Sequence, residues 1–200
     1  MSFWDDRYSQ DGYVFGEAPN GFLARQADRL QAGGTALAVA DGEGRNGVFL
    51  AERGLDVLSI DASPVGLAKA DKLAARRGVN LRTQCLDIGA YGWPEAAFDV
   101  VAAIFIQFAP PALRDAMFAG MVRTLKPGGL LLLEGYRPEQ LGYGTGGPSQ
   151  VENLYTEELL RARFAALEIL VLESYDAELT EGIAHAGPSA LIDLVARKPD

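Results

Sequence analysis

From about Asn20 onward, apolar runs bounded by Gly, Pro and Asp alternate with segments of helical period, the pattern of a parallel sheet covered by helices. The first strand falls at 36–40 and its helix at 45–53. A second strand at 56–60 follows across Gly54, read as a helix C-cap. Asp61, Ser63 and Pro64 then supply strand end, N-cap and first-turn proline for a helix over 65–77, which Gly78 ends. Residues 81–86 make a third strand. The run 98–106 is almost wholly apolar, as a strand buried on both faces should be, and Pro110-Pro111 opens a helix that reaches residue 125. Lys126-Pro127-Gly128-Gly129 breaks that helix, and another buried strand occupies 130–136. The segment 137–153, with four glycines and two prolines, reads as a long functional loop. A helix from Thr156 to 164 and β-rich runs at 167–175 and 190–196 follow, the two runs expected to pair as a hairpin with a long connection.

No repeat, charge block or linker divides the chain, so residues 1–200 are expected to form one α/β domain. Ahead of the first strand, residues 1–19 form an arm carrying Phe3, Trp4, Tyr8, Tyr13 and Phe15. It either covers an edge of the core or serves as a lid over a ligand.

Composition narrows the function. A hydrophobic content of 48% over 200 residues suffices for one buried core. No run approaches the roughly 18 apolar residues of a membrane span, and the N-terminus lacks a basic region followed by an apolar one, which predicts a cytoplasmic chain with no membrane partner. A net charge of −9 argues against nucleic acid as a partner. Cys85 is the lone cysteine and His185 the lone histidine, so no metal cluster is expected; Cys85 reads as a core thiol.

The strongest local signal is Gly42-Glu43-Gly44-Arg45-Asn46-Gly47 between the first strand and its helix, with Asp61 ending the second strand. Glycines allow a sharp turn and close approach of backbone to ligand, and a carboxylate about 20 residues on accepts bonds from ribose hydroxyls. That predicts an adenosine-type ligand without saying which. After the third strand stands Asp87-Ile88, a carboxylate and an apolar side chain suited to an adenine amino group and ring face, and after the fourth comes Gln107.

Taken in order, the glycine turn, Asp61, Asp87, the strand opening Phe98-Asp99-Val100, and Leu125-Lys126-Pro127-Gly128-Gly129 leading into a strand make the chain resemble class I S-adenosylmethionine methyltransferases. Within that family it is similar to the tellurite-resistance and thiopurine-type small-molecule branch. The residues that suggest this are Trp4 to Tyr8, Tyr13 to Gly16, Pro19-Asn20, Gly42 to Asn46, Gly144 to Pro148, and Glu181-Gly182 with His185. The resemblance implies a doubly wound, Rossmann-like, seven-stranded and mostly parallel sheet of order 3-2-1-4-5-7-6 with the last strand antiparallel. It implies S-adenosylmethionine as cofactor, held by Asp41, Gly42, Glu43, Gly44, Asn46, Asp61, Ala62, Asp87, Ile88 and Gln107. Asp61 would bind ribose, and Asp87-Ile88 would flank adenine. Ala38 and Ala40 stand where the family usually carries an acidic residue and a glycine; Asp41 either replaces the missing charge near the methionine ammonium or only braces the turn.

The acceptor, a small molecule such as a thiol or a metalloid oxyanion (tellurite or selenite), is expected on the loops at the carboxyl edge of the sheet. His185, in a polar Gly-flanked loop, is a base, a substrate-orienting donor or a plain surface histidine. Tyr143 and Arg137 belong to the pocket if the glycine-rich loop closes, and Glu134 near Tyr136 is a carboxylate in an apolar run that wants a partner. The rival readings are an NAD-dependent oxidoreductase, for which no spaced Tyr/Lys proton-donor pair is found, and a non-catalytic adenosine-ligand-binding regulatory protein. A monomer or a homodimer fits equally.

Overall fold

The computed structural model describes residues 3–200. Seven strands, β1 Thr35–Val39, β2 Asp56–Asp61, β3 Arg82–Cys85, β4 Phe98–Ile104, β5 Leu125–Tyr136, β6 Glu168–Glu181 and β7 His185–Arg197, form one sheet of order β3-β2-β1-β4-β5-β7-β6. The first five are mutually parallel, and β7 runs antiparallel to both β5 and β6. The helices are α1 Phe3–Tyr8, α2 Gly21–Arg25, α3 Arg45–Glu52, α4 Pro64–Arg77, α5 Pro111–Thr124, α6 Gln140–Tyr143 and α7 Glu157–Arg163.

Each face of the sheet feeds its own core, because neighbouring residues along a strand point to opposite sides. Leu37, Val101, Leu131 and Ala196 lie in line across four strands and meet Met117, Met121 and Phe118 of α5 and Phe164 after α7. One residue along, Ala38, Ala102, Leu132 and Val195 lie in line on the other face and join Phe22, Leu23 and Leu50. Ala38 is therefore a core residue, 1% exposed. The caps form as the sequence implies: the Ser63 hydroxyl accepts from Gly66 N at 3.1 Å, Gly78 ends α4 at φ 70°, and the Thr156 hydroxyl accepts from Leu159 N at 3.2 Å.

Five expectations need correction. The terminal hairpin has no long connection: β6 and β7 stay paired out to Glu181 and His185 and turn through Gly182, Ile183 and Ala184. Residues 176–189 lack an apolar run because they project past the end of β5, with only one strand as partner. His185 thus opens a strand instead of sitting in a polar loop. Lys126 to Gly129 ends α5 but does not precede the strand; it belongs to β5, and the ladder with β4 slips between Phe98 and Val100. The segment 137–153 is ordered in part, carrying α6 and a turn of 3₁₀ helix at Val151–Asn153. Cys85 is exposed, not in the core, since β3 is the edge strand.

Strands β1 and β4 both stop at a non-glycine residue in the left-handed region, Ala40 at φ 50° and Phe105 at φ 54°. That conformation costs about 1–2 kcal/mol per residue, and such strain collects where backbone must be aimed. Both residues open onto the same cavity.

Candidate active site

A chamber of about 610 Å³ lies at the carboxyl ends of β1, β2, β4 and β5, roofed by the N-terminal arm and the β6–β7 tip. A cavity of that size has room for a drug-sized ligand. The glycine turn borders it through Asp41, Arg45 and Asn46, whereas Gly42 and Gly44 do not line it and pack against Tyr8 and Ala70. Gly42 sits at φ 57°, and a β-carbon there would strike the Tyr8 hydroxyl; Gly44 sits at φ 86°, where a β-carbon would strike Ala70 of α4. These two positions need glycine for space as well as for conformation. The turn lets α3 approach α4 closely.

Asp61 is 6% exposed and braced at both oxygens: Oδ2 accepts from Gly42 N and Oδ1 from Ser63 N, each at 2.8 Å. It therefore reaches the chamber in one fixed orientation, its lone pairs not fully used, while burial pushes its carboxyl up. Asp41 braces the turn with one of its two oxygens. Its Oδ2 accepts from Gly47 N at 3.0 Å and Ser59 Oγ at 2.9 Å, and its buried Oδ1 has no partner. Burial, only partly offset by those two bonds, pushes its pKa up to about 7. An unpartnered buried carboxylate oxygen facing a cavity suits a bound cation such as an ammonium group.

Beyond Asp61 the chamber is lined by Ala62, Asp87, Ile88, Asn46 and Gln107. Asp87 is exposed and caps the next turn through Gly89 N at 2.9 Å. Gln107 reaches the chamber with its amide already committed, donating to Tyr136 O and Asn153 O and accepting from Tyr136 N at 2.6 Å, so it fixes the end of β5. Glu43 does not line the chamber. It turns outward and staples the arm, accepting from Val14 N at 2.7 Å and pairing with Lys69 at 2.8 Å.

At the opposite end His185 is 9% exposed, its ring centroid 4.3 Å from Phe105, 4.6 Å from Phe15 and 5.9 Å from Tyr136. Burial, with the charges of Arg45 and Arg7, drives its pKa down to about 3, so it is a neutral imidazole and a weak base. The other three residues expected beside the acceptor lie elsewhere. Glu134 shares a face with Tyr136 but sits two residues deeper along β5, capped by Asn20 and Tyr175 and paired in register with Asp193; burial and the Asp193 charge push its carboxyl well up. Arg137 reaches away to Asp176 and Tyr175 O, and Tyr143, 40% exposed, donates to Asp176 at 3.1 Å. The glycine-rich loop closes with its backbone instead: Gly146, Gly147 and Pro148 line the chamber.

Sequence reasoning gave no site role to Arg7, Arg45 or Phe105 and named Tyr136 only beside Glu134; all four are chamber residues. Arg45 was legible as a charge inside the glycine turn. It is buried and pairs with Glu181 of the hairpin tip at 2.7 Å, while the same carboxylate accepts from Gly21 N at 2.8 Å. The start of α2, the turn and the tip thereby meet at one side chain.

This sheet order, with a glycine turn and a carboxylate at the end of β2, defines the fold of a class I, S-adenosylmethionine-dependent methyltransferase. Residues 36–129 match the methyltransferase domain family. It is 27% identical over 177 residues to hemagglutinin 1 of Eikenella corrodens, covering 88% of this chain and 58% of that protein. The chain spans about half the length of the curated relatives it matches. In fold it is similar to a protein solved in work on the conversion of a disulfide bond into a thioacetal group during echinomycin biosynthesis (TM-score 0.78, 17% identity, 98% of this chain and 90% of that one). It is similar also to TehB of Haemophilus influenzae (TM-score 0.73, 18% identity, 98% and 66%). The domain implies S-adenosylmethionine as cofactor, and the unpartnered Asp41 oxygen and the braced Asp61 carboxylate fit its ammonium and its ribose.

Proposed function

We propose that the chain methylates a small-molecule acceptor, holding the donor across Asp41, Asp61, Asp87 and Ile88 and the acceptor against Phe15, Phe105, Tyr136 and His185. The observation that carries this reading is a single chamber with carboxylates at one end and rings with unpartnered polar atoms at the other. When bound, S-adenosylmethionine supplies a methyl group on a sulfonium, which leaves its sulfur as an acceptor's electron pair takes it. The protein's part is to align the partners and exclude water. Asp61 fixes the ribose, Asp41 the ammonium, and His185, uncharged, orients the acceptor. The arm acts as a lid, since Trp4, Arg7 and Phe15 face the chamber.

Thiols and the metalloid oxyanions tellurite and selenite head the acceptor panel, the latter because of the likeness in fold to TehB. The acidic surface disfavours nucleic acid, and among the described residues no helix is long and apolar enough to cross a membrane. We take the chain to act in the cytoplasm as a monomer or homodimer. Calorimetric titration tests the donor. S-adenosylhomocysteine binds in the micromolar range, NADH does not, and Asp61→Ala weakens binding by about 1–3 kcal/mol through loss of a charged acceptor for the ribose hydroxyls. Binding of NADH in its place, or an unchanged affinity in the variant, overturns the assignment; release of S-adenosylhomocysteine over the acceptor panel then identifies the substrate.

A further inference from the structure

Three polar atoms at the acceptor end of the chamber are buried without a partner: Arg7 Nε, Tyr136 Oη and His185 Nδ1. The surfaces around them are aromatic. The Arg7 guanidinium carbon lies 5.6 Å over the Phe15 ring and 6.0 Å over Trp4, and Phe15 in turn meets His185. Phe105, held in its left-handed backbone conformation, stands 4.7 Å from Tyr136 and tilted 31° to it.

The two guanidiniums of the chamber differ. Arg45 is neutralised by Glu181 at 2.7 Å, whereas no ion pair joins Arg7 to a carboxylate among the described residues. A guanidinium resting on ring faces keeps its charge and its planar fork for an anion of matching geometry. No carboxylate lines the chamber at this end to take a proton from an acceptor: Asp41, Asp61 and Asp87 stand at the ends of β1, β2 and β3, while Glu134 and Glu181, the carboxylates nearest Tyr136, lie outside the lining and are held by Asn20, Tyr175 and Arg45. His185, enclosed by three rings, is a neutral neighbour. A site with one cation, flat apolar walls and no base suits an acceptor that arrives ionised and planar.

We propose that this corner takes a planar, ring-bearing monoanion as the methyl acceptor, with Arg7 on its anionic oxygens and its ring among Phe15, Phe105 and Tyr136. This rests on the reading of the chamber as a methyltransferase site. Arg7, on the arm, then ties closure of the lid to the presence of the acceptor.

The test is titration of the S-adenosylhomocysteine-loaded protein with benzoate, its neutral analogue benzamide, benzylamine and selenite. Benzoate is expected to bind at least about tenfold more tightly than benzamide or benzylamine, as a charge-assisted bidentate pair requires. Arg7→Met removes that preference, Arg7→Lys keeps part of it, and both retain the affinity for S-adenosylhomocysteine. Equal binding of benzoate and benzamide overturns the proposal, as does selenite binding more tightly than benzoate, which leaves the rings without a role. Loss of S-adenosylhomocysteine affinity in Arg7→Met with benzoate unaffected also overturns it, placing Arg7 on the cofactor. Should S-adenosylhomocysteine fail to bind the unaltered chain, the reading of the chamber falls by itself, and benzoate titrated into the unloaded protein still decides the role of Arg7.

Discussion

Asp41 carries two oxygens with different surroundings, one bonded twice and one bare, and the bare one sets a pH dependence. Its folded pKa of about 7 lies above the unfolded value of 3.8, so its contribution to folding is fully present below pH 3.8 and is lost as pH rises through about 7. A cation beside Oδ1 favours the ionised form and pulls that pKa down. S-adenosylhomocysteine binding should therefore release up to about half a proton at pH 7 and tighten as pH rises from about 6 to 8. Calorimetry in buffers of different ionisation enthalpy reads the proton directly; Asp41→Asn should abolish both effects and His185→Asn neither. A proton count of zero in the unaltered chain counts against Asp41 as the ammonium's partner. The same pair of residues marks what sequence could convey. The meeting of the glycine turn with the acidic strand end was legible because both stand at the same end of two neighbouring parallel strands. The state of His185 was not, because its burial comes from Phe15 and Phe105, which are distant in sequence and meet it only through the fold.

The arm meets both the core and the chamber, residue by residue. Tyr8 is 4% exposed and wedged over Gly42 and Gly66, and Lys69 of α4 ties the arm by donating to Gln10 O at 2.8 Å and Gly12 O at 2.7 Å. Trp4 and Phe15, half-buried, face the chamber. Tyr8→Ala should consequently cost about 3–5 kcal/mol of stability, the usual toll for removing a core aromatic. Trp4→Ala and Phe15→Ala should weaken ligand binding and shift Tm little; thermal melts beside calorimetry separate the cases, and a large fall in Tm for both variants would make the whole arm core packing. Sequence offered cover and lid as alternatives because aromatic content alone does not say which way each ring turns. The hairpin was misjudged for a related reason. Residues 176–189 pair as strand without burying an apolar run, since only β6 and β7 pair there.

Across the molecule, topology was the most legible layer, carried by the order of motifs along the chain; each strand end of a parallel sheet delivers its loop to the same edge. The departures sit at that edge, where Ala40 and Phe105 leave the strand conformation early and the hairpin tip overshoots. There Gly182 lies so close to Val14, Phe15 and Gly16 that a β-carbon would not fit, and Ile183 N donates to Val14 O at 2.9 Å. This junction orders events in time. The arm leaves the ribosome some 165 residues ahead of the tip that it docks against. The central strands can pair while synthesis continues, but the roof cannot assemble until β7 has arrived. A chain cut after residue 181 should therefore leave the arm open to protease in conditions where the unaltered protein resists, whether or not its parallel strands have paired. The chamber thus has no roof until both the arm and the tip are present, and a chain cut short of β7 gives a bound ligand no enclosure.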